Sequence, residues 1–150
     1  MRGAFSCVRN HMAKLTRREA REIVVGLLFE MEFQTDVTPE AMYSLAMESR
    51  EFPDDTFVRG TFFGVLSHLN EIDETIGRFS SGWKTGNLSR VTRAILRLSV
   101  YEILFSPDVP AKVSINEAME LIKKYDEDKV FSFVNGVLNS VMKENEAHGS

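Results

Sequence analysis

The sequence is short of several things that would narrow its chemistry at once. Of 150 residues only Cys7 is a cysteine, so no disulfide can form within the chain. A reducing compartment is expected. The three histidines, His11, His68 and His148, stand far apart, and no Cys/His spacing suits a metal. No apolar run approaches the ~20 residues needed to cross a bilayer. The apolar stretch between Arg2 and Arg9 is too short for a signal peptide. A cytoplasmic protein without membrane contact is therefore expected. The chain lacks a phosphate-cradling glycine loop, a nucleophile elbow and a metal-binding histidine pair. No catalytic residue, metal or cofactor is expected, and the chain does not read as an enzyme. The acidic run Asp126–Glu127–Asp128 reads as a helix start rather than a metal site. Strand signals are also missing, because no sustained apolar/polar alternation is bounded by hairpin turns.

Bulk positive charge is absent too, since the net charge is −4. Its distribution is uneven. Residues 1–21 hold six basic groups (Arg2, Arg9, Lys14, Arg17, Arg18 and Arg21) against Glu19 alone, a net of +5, which leaves −9 for the remainder. A local basic patch on an acidic body suits a polyanion at one site and repels it elsewhere.

What is present is helical. Thr16 followed by Glu19 forms a capping box. Thr38-Pro39 places a cap before a proline at the first helical position. Asp54 or Asp55 can start a third helix and Ser89 a fourth. Ser114 with Glu117 reads as a second capping box, and a last helix begins near Asp126 or Glu127. Breaks are expected at Pro53, across Ser80–Asn87 and across Ser106–Pro110. Apolar faces recur at helical spacing. The third helix shows Phe57, Phe62, Val65, Leu69, Ile72 and Ile76, and the last shows Val130, Val134, Val137, Leu138 and Val141. The loop around Gly82 and Gly86 divides the chain into roughly equal halves.

Two groups of residues stand off these faces. In the first helix, Ala20, Ile23, Val24, Leu27, Leu28 and Met31 form the apolar arc. Arg17, Arg18, Arg21, Val25 and Phe29 share one flank. Arginines in a first turn oppose the helix dipole by about 0.3–1 kcal/mol each when exposed. An external anion would explain them, and a nearby aromatic would suit single-stranded RNA, with guanidinium on phosphate and ring under base. A solvated basic helix end, with Phe29 partly covered by a neighbour, is the other reading. In the last helix Lys129, Phe133 and Gly136 lie on one ridge. They read either as a place for a base or a partner, or as a gap that admits a neighbouring helix.

Four segments in order resemble the NusB family of bacterial transcription antitermination factors. They are TRREAREIVVGLLFE (Thr16–Glu30), LSRVTRAILRLSVYEIL (Leu88–Leu104), VPAKVSINEAMELIKKY (Val109–Tyr125) and FVNGVL (Phe133–Leu138). The resemblance covers Lys14 to Lys143. It implies an all-α fold, a compact helical domain of about seven helices built as two packed three-helix bundles. Residues 1–13 are then expected to be a disordered extension, 14–145 a single helical domain and 146–150 a flexible tail.

The resemblance implies a non-catalytic RNA-binding factor. It would pair with the small-subunit ribosomal protein NusE, bind boxA RNA and join the RNA polymerase antitermination complex, promoting read-through of ribosomal RNA operons. Arg17, Arg18 and Arg21 match the family's RNA-contacting arginine segment and Phe133 a position on its RNA and partner surface; Lys14, Phe29 and Lys129 join the expected RNA contacts from the helix faces described above. The expected partner contacts are Phe133 from the resemblance, Gly136 from the same ridge, and Thr92 at the departing position. Thr92 stands where the family commonly has an acid, Phe131 is an added bulky residue, and Glu19 interrupts the arginine run. The alternative is a protein-interaction scaffold or helical homodimer that does not touch RNA. An appendage of an RNA methyltransferase is disfavoured, because no βαβ pattern is present.

Overall fold

The computed structural model of the chain describes residues 14–82, 88–125 and 128–149, and no strand occurs among them. Seven α-helices lie within the described residues: α1 (Arg17–Met31), α2 (Pro39–Arg50), α3 (Thr56–Ser67), α4 (Leu69–Phe79), α5 (Arg90–Phe105), α6 (Ala111–Tyr125) and α7 (Phe131–Gly149). A 3₁₀ turn, Asp128–Val130, precedes α7. Among the described residues no helix is long and apolar enough to cross a membrane. The expected extension at residues 1–13 and the Asp126–Glu127 helix start lie outside the described residues.

The caps explain most helix starts. Thr16 Oγ1 accepts the Glu19 amide at 3.0 Å, and Glu19 Oε1 accepts the Thr16 amide at 2.8 Å, so α1 opens on a complete capping box. Thr38 Oγ1 accepts from the Ala41 amide at 3.1 Å ahead of Pro39. Asp55 starts α3 by accepting the Val58 amide at 3.0 Å. Asp54 is engaged elsewhere, by Tyr43 Oη at 2.9 Å and Arg59 Nε at 3.1 Å. Ser89 Oγ accepts the Thr92 amide at 3.2 Å.

Two expectations are corrected. Ser114 does not cap a helix, because α6 already starts at Ala111 and the Val113 amide bonds the Pro110 carbonyl at 2.9 Å. Ser114 is instead buried, and its hydroxyl donates to Glu102 of α5 at 2.6 Å. The apolar run from Phe57 to Ile76 is two helices rather than one. His68 leaves helical geometry at φ −114 and ψ 24, and its ring Nδ1 lies 3.0 Å from the Gly64 carbonyl. Helix α7 extends through Gly149, into the stretch expected as a tail. Arg78 of α4 pairs with Glu144, and Asn145 Nδ2 donates to the Ile103 carbonyl at 3.2 Å, which holds the end of α7 in place.

The chain forms two compact units, divided between Phe63 and Gly64. In the first, α1 packs on α2, and Tyr43 centres an aromatic cluster with Phe52, Phe62 and Phe63 at 5.7–6.2 Å between ring centroids. Burying large side chains such as Ile23, Leu27, Tyr43 and Phe62, all at most 1% exposed, supplies about 1.5–3 kcal/mol apiece for the aliphatic and phenylalanine side chains. In the second unit α4, α5, α6 and α7 pack on one another, with α5 and α7 each touching the other three. Ile72, Ile76, Ile95, Leu96, Ile122, Val134, Leu138 and Val141 are fully buried there. The boundary falls in α3 and not at Gly82–Gly86, because α4 packs against α5 and α7 and so belongs with the C-terminal helices. Val130, expected in the buried stripe of the last helix, is only half-buried on the 3₁₀ turn.

Candidate nucleic-acid interface

The basic turn of the first unit is built around a ring. Lys14, Arg17 and Arg18 are exposed at the start of α1. Arg17 Cζ lies 4.3 Å from the centroid of Phe57, and Arg21 Cζ lies 5.4 Å from the same centroid. Phe57 is the second residue of α3 and is half-buried. Arg21 is only 4% exposed. It therefore adds charge beneath the surface, whereas Arg17 and Arg18 on the same flank face outward. The capping box places Glu19 back on the Thr16 amide, so the one acid of this turn serves the helix end. The turn can offer exposed guanidinium N–H groups, with a positive helix terminus behind them, to an anion.

Phe29 does not sit beside these arginines. It is twelve residues beyond Arg17 along α1, about 18 Å at 1.5 Å per residue. Val25, between them on the same flank, is buried at 3% exposure. Phe29 is half-buried and meets Phe33 edge-on at 5.0 Å, and Phe33 is 53% exposed. The aromatic partner of the arginines is thus Phe57, which the sequence pattern assigns to the core of its own helix. Its only sequence signal is its place as the first apolar residue after a run of polar ones. What identifies it is the tertiary approach of the α3 start to the α1 start.

Two further cations of this unit have structural partners. Arg59 donates from Nε and Nη2 to Asp54 at 3.1 and 3.0 Å and lies 4.9 Å over the Tyr43 ring. The Arg59 hydrogen bonds, then that of Tyr43, hold the Asp54 carboxyl below the usual range. Burial, helped by Asp54, pushes the Tyr43 phenol up to about 12. Arg50 of α2 ion-pairs with Glu30 of α1, and burial lowers the Arg50 pKa from its ordinary value.

The second group lies in the other unit. Lys129 on the 3₁₀ turn, Phe133 and Gly136 are all exposed, Phe133 at 36%. A Cβ built on Gly136 would meet nothing within 4 Å. Among the described residues no neighbouring helix of its own unit fills the gap at Gly136. Phe131, next to this group, is half-buried with Lys123 Nζ 5.6 Å from its ring centroid. Thr92 is a correction. It lies at the capped start of α5 with 0% exposure, which takes its side chain off any surface that a partner could touch. Among the described residues no group of three or more His, Cys, Asp or Glu could hold a metal.

Comparison with known proteins places the chain in a family. The model of the NusB family matches residues 18–143. The transcription antitermination protein NusB of Bacillus licheniformis is 42% identical over 127 residues, which cover 85% of this chain and 96% of that protein. Its counterpart in Myxococcus xanthus is 42% identical over 130 residues, covering 83% and 93%. Among solved structures, T. maritima NusB matches with a TM-score of 0.79 at 34% identity, over 88% of this chain and 94% of that one. A chain in a crystal structure of the antitermination factors NusB and NusE in complex with dsRNA matches with a TM-score of 0.76 at 25% identity, over 85% and 96%. With a family match spanning most of the chain and a helical fold shared with solved NusB structures, this protein belongs to the NusB family.

Proposed function

We propose that the protein is a non-catalytic RNA-binding transcription antitermination factor that acts in the cytoplasm. In this reading it pairs with the small-subunit ribosomal protein NusE, contacts boxA RNA through the first turn of α1, and helps RNA polymerase read through terminators, notably in ribosomal RNA operons. The observation that carries the reading is the placement of Arg17 and Arg21 over Phe57 at a helix N-terminus, in a chain of the NusB family. A helix start that gathers arginines works against its own dipole, and a phosphate there removes the conflict. Family membership supports NusE as the partner, and the exposed Lys129, Phe133 and Gly136 supply a cation, an apolar ring and an open approach for a second contact. Few phosphates are neutralised by two or three arginines, so RNA binding without the partner is expected to be weak.

The test is anisotropy of a labelled boxA-type RNA and of a scrambled control, with and without NusE. Preference for boxA that requires NusE supports the reading. Binding of NusE with no response to either RNA favours the scaffold alternative. Self-association that excludes NusE favours a homodimer.

A further inference from the structure

Phe57 holds two guanidiniums at once, Arg17 at 4.3 Å and Arg21 at 5.4 Å from its ring centroid. A carboxylate in its place would fix an arginine by cancelling its charge. A ring fixes it through the quadrupole and leaves the positive charge undiminished. A cation–π contact engages a guanidinium through its charge and leaves N–H donors for an acceptor. Arg17 is exposed and Arg21 buried, so Arg17 is the one that can reach an anion, with a second cation close beneath it. An arginine already held on a ring also has less rotamer freedom to lose when it grips a phosphate.

We propose that Phe57 is a positioning residue for nucleic-acid recognition: its ring presets Arg17 for a backbone phosphate, with Arg21 held on the same ring. This rests on the reading of the basic turn as an RNA surface. The Phe57 side chain itself need not touch the RNA. Its substitution should therefore act through Arg17 and leave the number of phosphate charges contacted unchanged.

The experiment is a double-mutant cycle on RNA affinity, read with the same short RNA and with NusE present, in the folded fraction verified by circular dichroism. Phe57→Leu should weaken binding about two- to fivefold, the range of an exposed cation–π contact, and leave the salt slope unchanged. Phe57→Tyr should bind like the wild type. In an Arg17→Ala background Phe57→Leu should have no further effect. A Phe57→Leu protein that melts earlier but binds RNA as the wild type does would overturn the proposal and leave Phe57 a packing residue. So would an equal loss in the Arg17→Ala background. If Arg17→Ala itself leaves binding unaltered, the failure lies one step back, in the basic turn as an RNA surface, and the role of Phe57 falls with it. Phe57→Met serves as the second apolar variant should Phe57→Leu not fold.

Discussion

Replacing Gly64 by alanine sets two effects of known sign against each other. Gly64 is in the interior of α3, where alanine is favoured over glycine by about 1 kcal/mol. Yet a Cβ at Gly64 would fall 2.3 Å from Tyr101 Oη and 2.4 Å from Tyr101 Cζ. The Tyr101 ring would have to retreat by roughly 1 Å or more to reach the ~3.5 Å of ordinary carbon contact. It is flanked by Phe105 at 5.6 Å and His68 at 6.2 Å between centroids, and the His68 ring is tied to the Gly64 carbonyl. Overpacking of this kind costs about 1–3 kcal/mol. Gly60 provides the internal control, since it lies in the same helix and a Cβ there meets nothing within 4 Å. Gly60→Ala should therefore stabilise by about 1 kcal/mol, whereas Gly64→Ala should fall short of it by about 1–3 kcal/mol. At about 2–4 °C per kcal/mol for a chain of this size, the two variants should differ by roughly 2–12 °C in Tm. Calorimetry on both proteins, and on each in a Tyr101→Leu background, reads this directly. The difference should shrink when the ring is removed. Equal stabilisation by the two alanines would refute the close approach of Tyr101 to Gly64.

Two other outcomes follow from the polar groups. Ser114→Ala removes a 2.6 Å hydroxyl donor from the buried Glu102 carboxylate, and should lower the unfolding free energy by about 1–3 kcal/mol in urea titration with an unchanged m-value. Tyr43 should ionise near 12 in a spectroscopic pH titration. Its raised pKa adds stability that is present in full below about pH 10 and is lost as pH rises through about 12. Asp54→Asn should lower the Tyr43 value yet leave it above 10, since burial is the larger cause. At the acid end, Asp54 is held below its usual range. Its contribution should be present above about pH 4 and fade as pH falls further, and Arg59→Ala should flatten that limb of a Tm-against-pH curve.

The parts of this fold that are legible in sequence are the local ones. Thr16 and Glu19 bond each other's amides within a single turn, so their spacing alone is informative, and the same holds for Thr38-Pro39 and Ser89. Ser114 and Glu117 have the same spacing as a capping box and yet form none. The Pro110 carbonyl already accepts the first helical bonds, and Glu102, twelve residues earlier, claims the hydroxyl. The break at His68 is hidden because apolar residues continue at helical spacing straight across it. The arginine cluster is visible as composition, but its ring is not. Phe57 is 36 residues or more from Arg17 and Arg21 in sequence, and only packing brings it to them. Likewise nothing local distinguishes an exposed Gly136 from one pressed against a helix, or an exposed Thr92 from one sealed under its cap.

These distinctions shape how the basic turn is best probed. Arg21 is buried, so its removal would mix packing with charge. Arg17 and Arg18 are exposed and report on charge more cleanly. The most direct measurement is the dependence of RNA affinity on salt for the wild type and for Arg17→Ala/Arg18→Ala, each with NusE present. If the turn holds phosphates, the double variant binds more weakly and its log–log salt slope falls by about one unit for each phosphate no longer neutralised. Identical affinity and identical slope in the two proteins would contradict the assignment of RNA binding to the start of α1.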